Sequence, residues 1–159
     1  MNLMMTHSKT ATINDLNLLN ELLRLSKAYW GYDKAFIEKF MDELCVKSHH
    51  IDSGLTKLCY ENDKLIGFYT FVFNDDHVLE LENFFLHPDY IGKRWGRKLW
   101  DICCKTAQEL GRNEFVIWAD PYAENFYIKM GCENIGVRKS SMMPNRYPPV
   151  LKCKIVKNE

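Results

Sequence analysis

The run Leu81-Glu82-Asn83-Phe84-Phe85-Leu86-His87-Pro88-Asp89-Tyr90-Ile91-Gly92-Lys93-Arg94-Trp95-Gly96-Arg97-Lys98-Leu99 sets most of the chain's chemistry-bearing residues in one order. An apolar strand bearing a carboxylate leads through a proline-marked turn into a basic, glycine-containing loop and the first turn of a helix. Backbone N–H groups at a helix start have no intrahelical partner and lie at the positive end of the macrodipole, so an anion there is stabilised twice. Lys93, Arg94 and Arg97 add side-chain charge. The pattern predicts a phosphorylated ligand held against the end of a strand that carries Glu82. Glu80, two residues earlier, falls on the same strand face.

The elements that must position these groups are readable from periodicity. Lys9 to Ile13 fits a first short strand, and Asn14 or Asp15 offers a cap before Leu16, Leu19, Leu22, Leu23 and Tyr29 recur at helical spacing up to Gly31. A second helix fits Lys34 to Cys45. Leu55 to Tyr60, Leu65 to Phe73 and Val78 to Leu86 read as three strands separated by Asn62-Asp63 and Asn74-Asp75-Asp76 turns, an antiparallel meander. Trp95, Leu99, Ile102, Cys103 and Ala107 give a helix ending near Gly111, followed by a strand at Phe115 to Ala119. Asp120 and Pro121 open a last helix through Met130, closed by Gly131. Strands near Glu133 to Val137 and Val150 to Val156 flank a loop from Met142 to Pro149. The expected fold is α/β (α+β), a mixed, mostly antiparallel seven-stranded sheet with helices on both faces.

Composition bounds the function. The 159 residues fit one domain, 1–159, with a core large enough to need no staples. The 21 basic and 21 acidic residues cancel, which argues against a general nucleic-acid or membrane-surface role. No long apolar segment or signal peptide stands out, and a cytoplasmic address is expected. The six cysteines show no metal-ligand spacing and read as small buried apolar residues of a reducing compartment. His49-His50, His77 and His87 likewise lack ligand partners at suitable separation, so no metal is expected.

Two separated motifs in the right order make the chain similar to the GNAT superfamily of acyl-CoA-dependent N-acetyltransferases. One is the run Leu81 to Leu99, whose Leu81-Glu82-Asn83-Phe84-Phe85 resembles the L-E-D-F-F strand of the polyamine acetyltransferases. The other, Pro121-Tyr122-Ala123-Glu124-Asn125-Phe126-Tyr127-Ile128-Lys129-Met130-Gly131-Cys132, resembles the family's A-x-x-F-Y-x-x-x-G-F segment. The resemblance implies acetyl-CoA as co-substrate in a splayed cleft. It assigns Ile91, Gly92, Lys93, Arg94, Trp95, Gly96 and Arg97 to the pyrophosphate loop, in place of the family's Q/R-x-x-G-x-G/A, with Ile91 and Arg94 departing from that pattern. Phe84, Phe85 and Leu86 would hydrogen-bond the pantetheine arm through their main chain, and Asn125 belongs to the second cofactor-contacting motif. Asp120 stands where many relatives have a cofactor-contacting asparagine, and is expected to act as a helix cap.

Acetyl transfer to an amine requires a neutral amine, a polarised carbonyl and a protonated leaving thiolate. An alkylammonium has a pKa of about 10, so a carboxylate must first take its proton. By motif Glu82 is preferred, with Glu80 as alternate. The resemblance makes Tyr127 the proton donor to sulfur and a main-chain N–H near Leu86 the oxyanion donor. Trp30, Tyr32 and Asp33 offer aromatic faces and a charge for the acceptor's ammonium. Arg146 could meet a substrate carboxylate, although a plain solvent loop fits its segment better. A covalent route through Cys103 or Cys104 is disfavoured because mid-helix cysteines face packing. The expected activity is direct acetyl transfer to a small-molecule amine, with a homodimer compatible with such folds. The rival reading is a catalytically silent acyl-CoA-binding sensor or assembly subunit.

Overall fold

The computed structural model describes residues 6–140, 142, 143 and 145–155. The expected strand end at Val156, Pro144 in the Met142–Pro149 loop and the first five residues lie outside that range. Seven strands form one mixed sheet in the order β1-β2-β3-β4-β5-β7-β6. They are β1 Thr6–Thr10, β2 Thr56–Glu61, β3 Lys64–Phe73, β4 Leu79–Leu86, β5 Glu114–Trp118, β6 Glu133–Val137 and β7 Pro149–Lys154. The helices are α1 Leu16–Tyr29, α2 Lys34–Leu44, α3 Ser48–Asp52, α4 Trp95–Glu109 and α5 Glu124–Lys129. β5 runs parallel to β4, whereas β1 with β2, β2 with β3, and β7 with both β5 and β6 are antiparallel. The expected mixed, mostly antiparallel sheet is thus present.

By packing, the chain divides into two compact units. The first comprises the residues up to Thr70 together with Asn83–Leu99. Thr12 and Asp15 form a capping box ahead of α1, with Asp15 Oδ2 accepting from Thr12 N at 2.8 Å. Helix α1 turns Leu19, Leu22, Leu23 and Ser26 inward at i, i+3, i+4 spacing, and Gly31, at φ +86°, lets the chain leave it. Asp33 Oδ1 caps α2 by accepting from Phe36 N at 2.8 Å. Asn20 pins the segment after α2, donating to Val46 O at 3.0 Å and accepting from Val46 N at 2.7 Å. The core contains Leu58, Phe68 and Leu99. Helix α3 went unanticipated because five residues are too few for a periodic signal. It is held by His50 Nδ1, which accepts from Lys47 N at 2.9 Å.

The second unit comprises Phe71–Glu82 and the residues from Trp100 onward. Its core contains Phe71, Leu79, Cys103, Phe115 and Leu151, with the Phe71 and Phe115 rings edge-to-face at 5.2 Å. Cys132, just after α5, is disulfide-bonded to Cys153 on β7. This corrects the reading of all six cysteines as free apolar residues. Residues 21 apart in sequence gave no pairing signal, because only the folding of the chain between them brings them together. Cys45, Cys59, Cys103 and Cys104 are free.

Candidate active site

In the first unit, the end of β4 leads through a turn and an exposed loop into the start of α4. Pro88–Tyr90 make a single 3-10 turn, with His87 Nδ1 accepting from Asp89 N at 3.2 Å. The chain then turns through Gly92 at φ +81° and Arg94 at φ +67°. Left-handed residues interspersed with ordinary backbone are a feature of anion-binding nests. Arg94 occupies the place where the family's pattern has its middle glycine, and its backbone adopts the conformation that favours glycine. Gly92, Lys93, Arg94 and Arg97 are exposed, whereas Trp95 turns inward and packs edge-to-face on Tyr90 at 5.4 Å. The Lys98 ammonium covers the Trp95 ring at 4.3 Å. A donor set of exposed amides and guanidinium groups suits a pyrophosphate.

Phe84, Phe85 and Leu86 are half-buried on β4. His87 N donates to Ile66 O of β3 at 2.7 Å, and Gly67 on β3 lies against this stretch with no room for a side chain. The acceptor candidates are already engaged. Asp33 caps α2, Tyr32 stacks on Phe36 at 4.1 Å, and Trp30 meets Tyr29 edge-to-face at 5.1 Å. Sequence reasoning missed Lys27, which is only 5 % exposed. Its ammonium lies 4.4 Å from the Phe40 ring centre, 5.6 Å from Tyr32 and 5.9 Å from Phe85. Of the aromatic faces expected to hold a substrate cation, that of Tyr32 thus faces one of the chain's own. Lys27 follows the periodicity of α1's inward face, which was the available signal.

In the second unit, the strand register distinguishes the two glutamates. Pairing of β4 with β5 joins Glu80 to Val116 and Leu81 to Ile117 and goes no further, so Glu82 is the first residue beyond the paired stretch. Glu80 is half-buried and accepts a hydrogen bond from Asn74 Nδ2 at 3.1 Å, while Glu82 is exposed. The Asn74 amide orientation is fixed by its own Oδ1, which accepts from Asp76 N at 2.9 Å and Val78 N at 3.0 Å. Both glutamates point to one face, since Leu79, Leu81 and Asn83 between and around them are buried.

Tyr127 is 5 % exposed and packs against Trp100 and Phe126, with ring centres 5.7 and 5.3 Å away. Burial pushes its hydroxyl well above the usual tyrosine range, and the Cys103 thiol and Asp120 carboxylate add to the rise. Tyr127 is thus held protonated. Asp120 caps the turn before α5, accepting from Tyr122 N at 2.9 Å, as expected of it. Its other oxygen meets Arg146 Nη2 at 3.4 Å, so Arg146 is held by the protein's own carboxylate rather than lying in a plain solvent loop. Asn125 is exposed on the first turn of α5. Cys103 is fully buried, and burial pushes the Cys104 thiol up to about 12, with Asp101 assisting. Neither suits a nucleophile.

Among the described residues no group of three or more His, Cys, Asp or Glu side chains could hold a metal ion. No helix among them is long and apolar enough to cross a membrane.

Residues 18–132 match the model of the acetyltransferase (GNAT) family. No curated protein matches the chain. Among solved structures, the chain resembles the PaiA N-acetyltransferase of Thermoplasma acidophilum in complex with coenzyme A, at 20% identity and TM-score 0.71, over 95% of this chain and 99% of that one. A GCN5-related N-acetyltransferase from Rhodopseudomonas palustris aligns at 16% identity and TM-score 0.76, over 98% and 99% of the two chains. The ribosomal-protein-S18-alanine N-acetyltransferase of Escherichia coli aligns at 16% identity and TM-score 0.65, over 98% and 97%.

Proposed function

Since the chain belongs to the acetyltransferase (GNAT) family, we propose that it transfers the acetyl group of acetyl-CoA directly to the primary amine of a small molecule. The observation that carries this reading is the left-handed pair Gly92 and Arg94 immediately ahead of α4, after a strand that bears Glu82. Ile91 to Arg97 and Asn125 are assigned to the cofactor, its phosphates meeting loop amides and the Lys93, Arg94 and Arg97 side chains. Phe84 to Leu86 are assigned to the pantetheine arm, and an N–H near Leu86 to the thioester oxygen. Acetyl-CoA supplies an activated acyl group on a thiol leaving group. The rest falls to protein side chains.

Glu82 is the preferred proton acceptor by its motif, and it is exposed just beyond the β4–β5 pairing; Glu80 is the alternate. The ammonium gives one proton to the Glu82 carboxylate, the neutral amine forms the C–N bond, and the C–S bond breaks with its electron pair going to sulfur. Tyr127, held protonated because burial disfavours the phenolate, gives its proton to sulfur and is restored by the second proton, which leaves the nitrogen as it becomes an amide.

Trp30, Tyr32 and Asp33 remain the assigned acceptor side. Lys27 modifies the expectation drawn from them, because its ammonium already lies over Tyr32, one of the faces assigned to the acceptor. The cytoplasmic address stays part of the proposal, with the Cys132–Cys153 bond as the feature that argues against it. Steady-state thiol release in Glu82→Gln and Glu80→Gln tests the base assignment. Loss of kcat by about 10²-fold or more in the first alone is expected, and the reverse order would transfer the role to Glu80.

A further inference from the structure

The ion pair between Asp120 and Arg146 lies at the start of the turn that leads into the helix carrying Tyr127. Asp120 leads directly into the turn and helix that carry Tyr127, and it is fixed there twice. Its Oδ1 accepts from Tyr122 N at 2.9 Å, and its backbone carbonyl accepts from Ala123 N at 2.8 Å. The carboxylate is mostly buried, with 10% of its side chain exposed against 22% for Arg146. A carboxylate so desolvated acts at longer range than one in water. It also contributes to holding Tyr127 in its neutral form, so its field reaches the proposed proton donor.

Thioester cleavage leaves the electron pair of the C–S bond on sulfur. An uncompensated carboxylate near the group that protonates that sulfur would oppose the charge as it develops. Arg146 Nη2, at 3.4 Å from Asp120 Oδ2, offsets part of that charge. Its segment is anchored for the purpose. Arg146 N donates to Met143 O at 3.2 Å, Ser140 N donates to Arg146 O at 2.7 Å, and Ala119 N, next to Asp120, donates to Pro149 O at 2.9 Å.

We infer that Arg146 is a positioning residue for acetyl transfer: by pairing with Asp120 it offsets the charge of the helix-capping carboxylate and holds the segment that follows β6 against the start of the Tyr127 helix. This rests on the reading of Tyr127 as proton donor. It makes the loop arginine an electrostatic partner of the protein's own carboxylate rather than a receptor for the substrate's.

The test measures kcat and the KM for acceptor amine and acetyl-CoA in Arg146→Met, Asp120→Asn and the double variant, with Tyr127→Phe alongside. Arg146→Met is expected to lose about tenfold in kcat, the size of a one-unit charge effect, with the acceptor KM unchanged. The double variant should recover to within about threefold of the parent, because asparagine keeps the cap on Tyr122 N without the charge. A rise in acceptor KM that Asp120→Asn does not rescue would overturn the inference, assigning Arg146 to substrate. Unchanged kcat in Arg146→Met would overturn it too. Should Arg146→Met fail to fold, Asp120→Asn alone decides: kcat at or above the parent supports the inference, and a tenfold loss overturns it. If Tyr127→Phe leaves thiol release intact, the donor reading fails, independently of the Arg146 result.

Discussion

A β-carbon placed on Gly67 would collide with the carbonyl oxygen of Phe85, and would press within 3.1 Å of Leu99 Cδ2 and 3.3 Å of Leu86 Cα. The absence of a side chain on β3 thus lets the end of β4 lie where it does, and that end is the stretch assigned to the pantetheine arm. Gly67→Ala should destabilise the protein by about 1–3 kcal/mol, the usual scale of overpacking. Because the displaced atoms are backbone of Phe85 and Leu86, the KM for acetyl-CoA should rise as well. Thermal denaturation together with the acetyl-CoA KM checks this, and an unchanged pair of values would contradict it.

Arg94 holds a left-handed backbone that glycine would adopt without penalty. Arg94→Ala and Arg94→Gly both remove the guanidinium, but only the second relieves the backbone. Arg94→Gly should be the more stable of the two by about 1 kcal/mol in urea melts. Both should weaken acetyl-CoA binding to a similar extent, and more so at low salt than at high salt. Equal stability of the two variants would remove the backbone argument.

Burial holds the Tyr127 hydroxyl above its ordinary range, with Cys103 and Asp120 adding to the effect. Its proton is therefore retained at pH values where the unfolded phenol, with a pKa of about 10, begins to ionise. The stability it contributes is fully present below that pH and is lost as pH rises toward the folded value. Tyr127→Phe, which cannot ionise, should accordingly resist alkaline unfolding better than the parent, relative to its own stability at neutral pH. Between about pH 7 and 9 no basic limb in kcat should originate from Tyr127. A basic limb in the parent that vanishes in the residual activity of Tyr127→Phe would contradict this.

The cysteines divide into Cys132–Cys153, which are bonded, and Cys45, Cys59, Cys103 and Cys104, which are free. Alkylation of the denatured, unreduced chain should add four labels by mass, rising to six after reduction. In the native protein Cys59 should label slowly, since burial pushes its thiol up to about 12 and leaves little thiolate at neutral pH. Six labels without reductant would show that the bond is not formed in the purified protein.

Much of this architecture was legible because it is periodic or punctuated. The helical spacing of Leu16 to Tyr29, the turn residues around Asn62 and Asn74, and the Asp120-Pro121 start each carry a local physical signal, and each element formed within a few residues of its expected bounds. The loop proposed for the cofactor stood out as charge on a helix start, although the left-handed backbone at Arg94 did not, because its residue type argues against it. What escaped depends on residues distant in sequence. The Cys132–Cys153 bond, the burial of Lys27 among Tyr32, Phe40 and Phe85, the ion pair of Arg146 with Asp120 and the close approach of Gly67 to Phe85 all arise only once the chain is folded.

The most direct test is thiol release from acetyl-CoA across a panel of amino acids, monoamines, polyamines, aminoglycosides and short peptides, in the parent and Tyr127→Phe. Amine-dependent release is expected. It should fall by about 10²-fold or more in kcat in Tyr127→Phe with acetyl-CoA affinity retained. Tight acetyl-CoA binding with no release for any amine would contradict the transferase account and point to an acyl-CoA-binding sensor. Absence of binding would overturn the assignment of the Gly92–Arg94 loop as well.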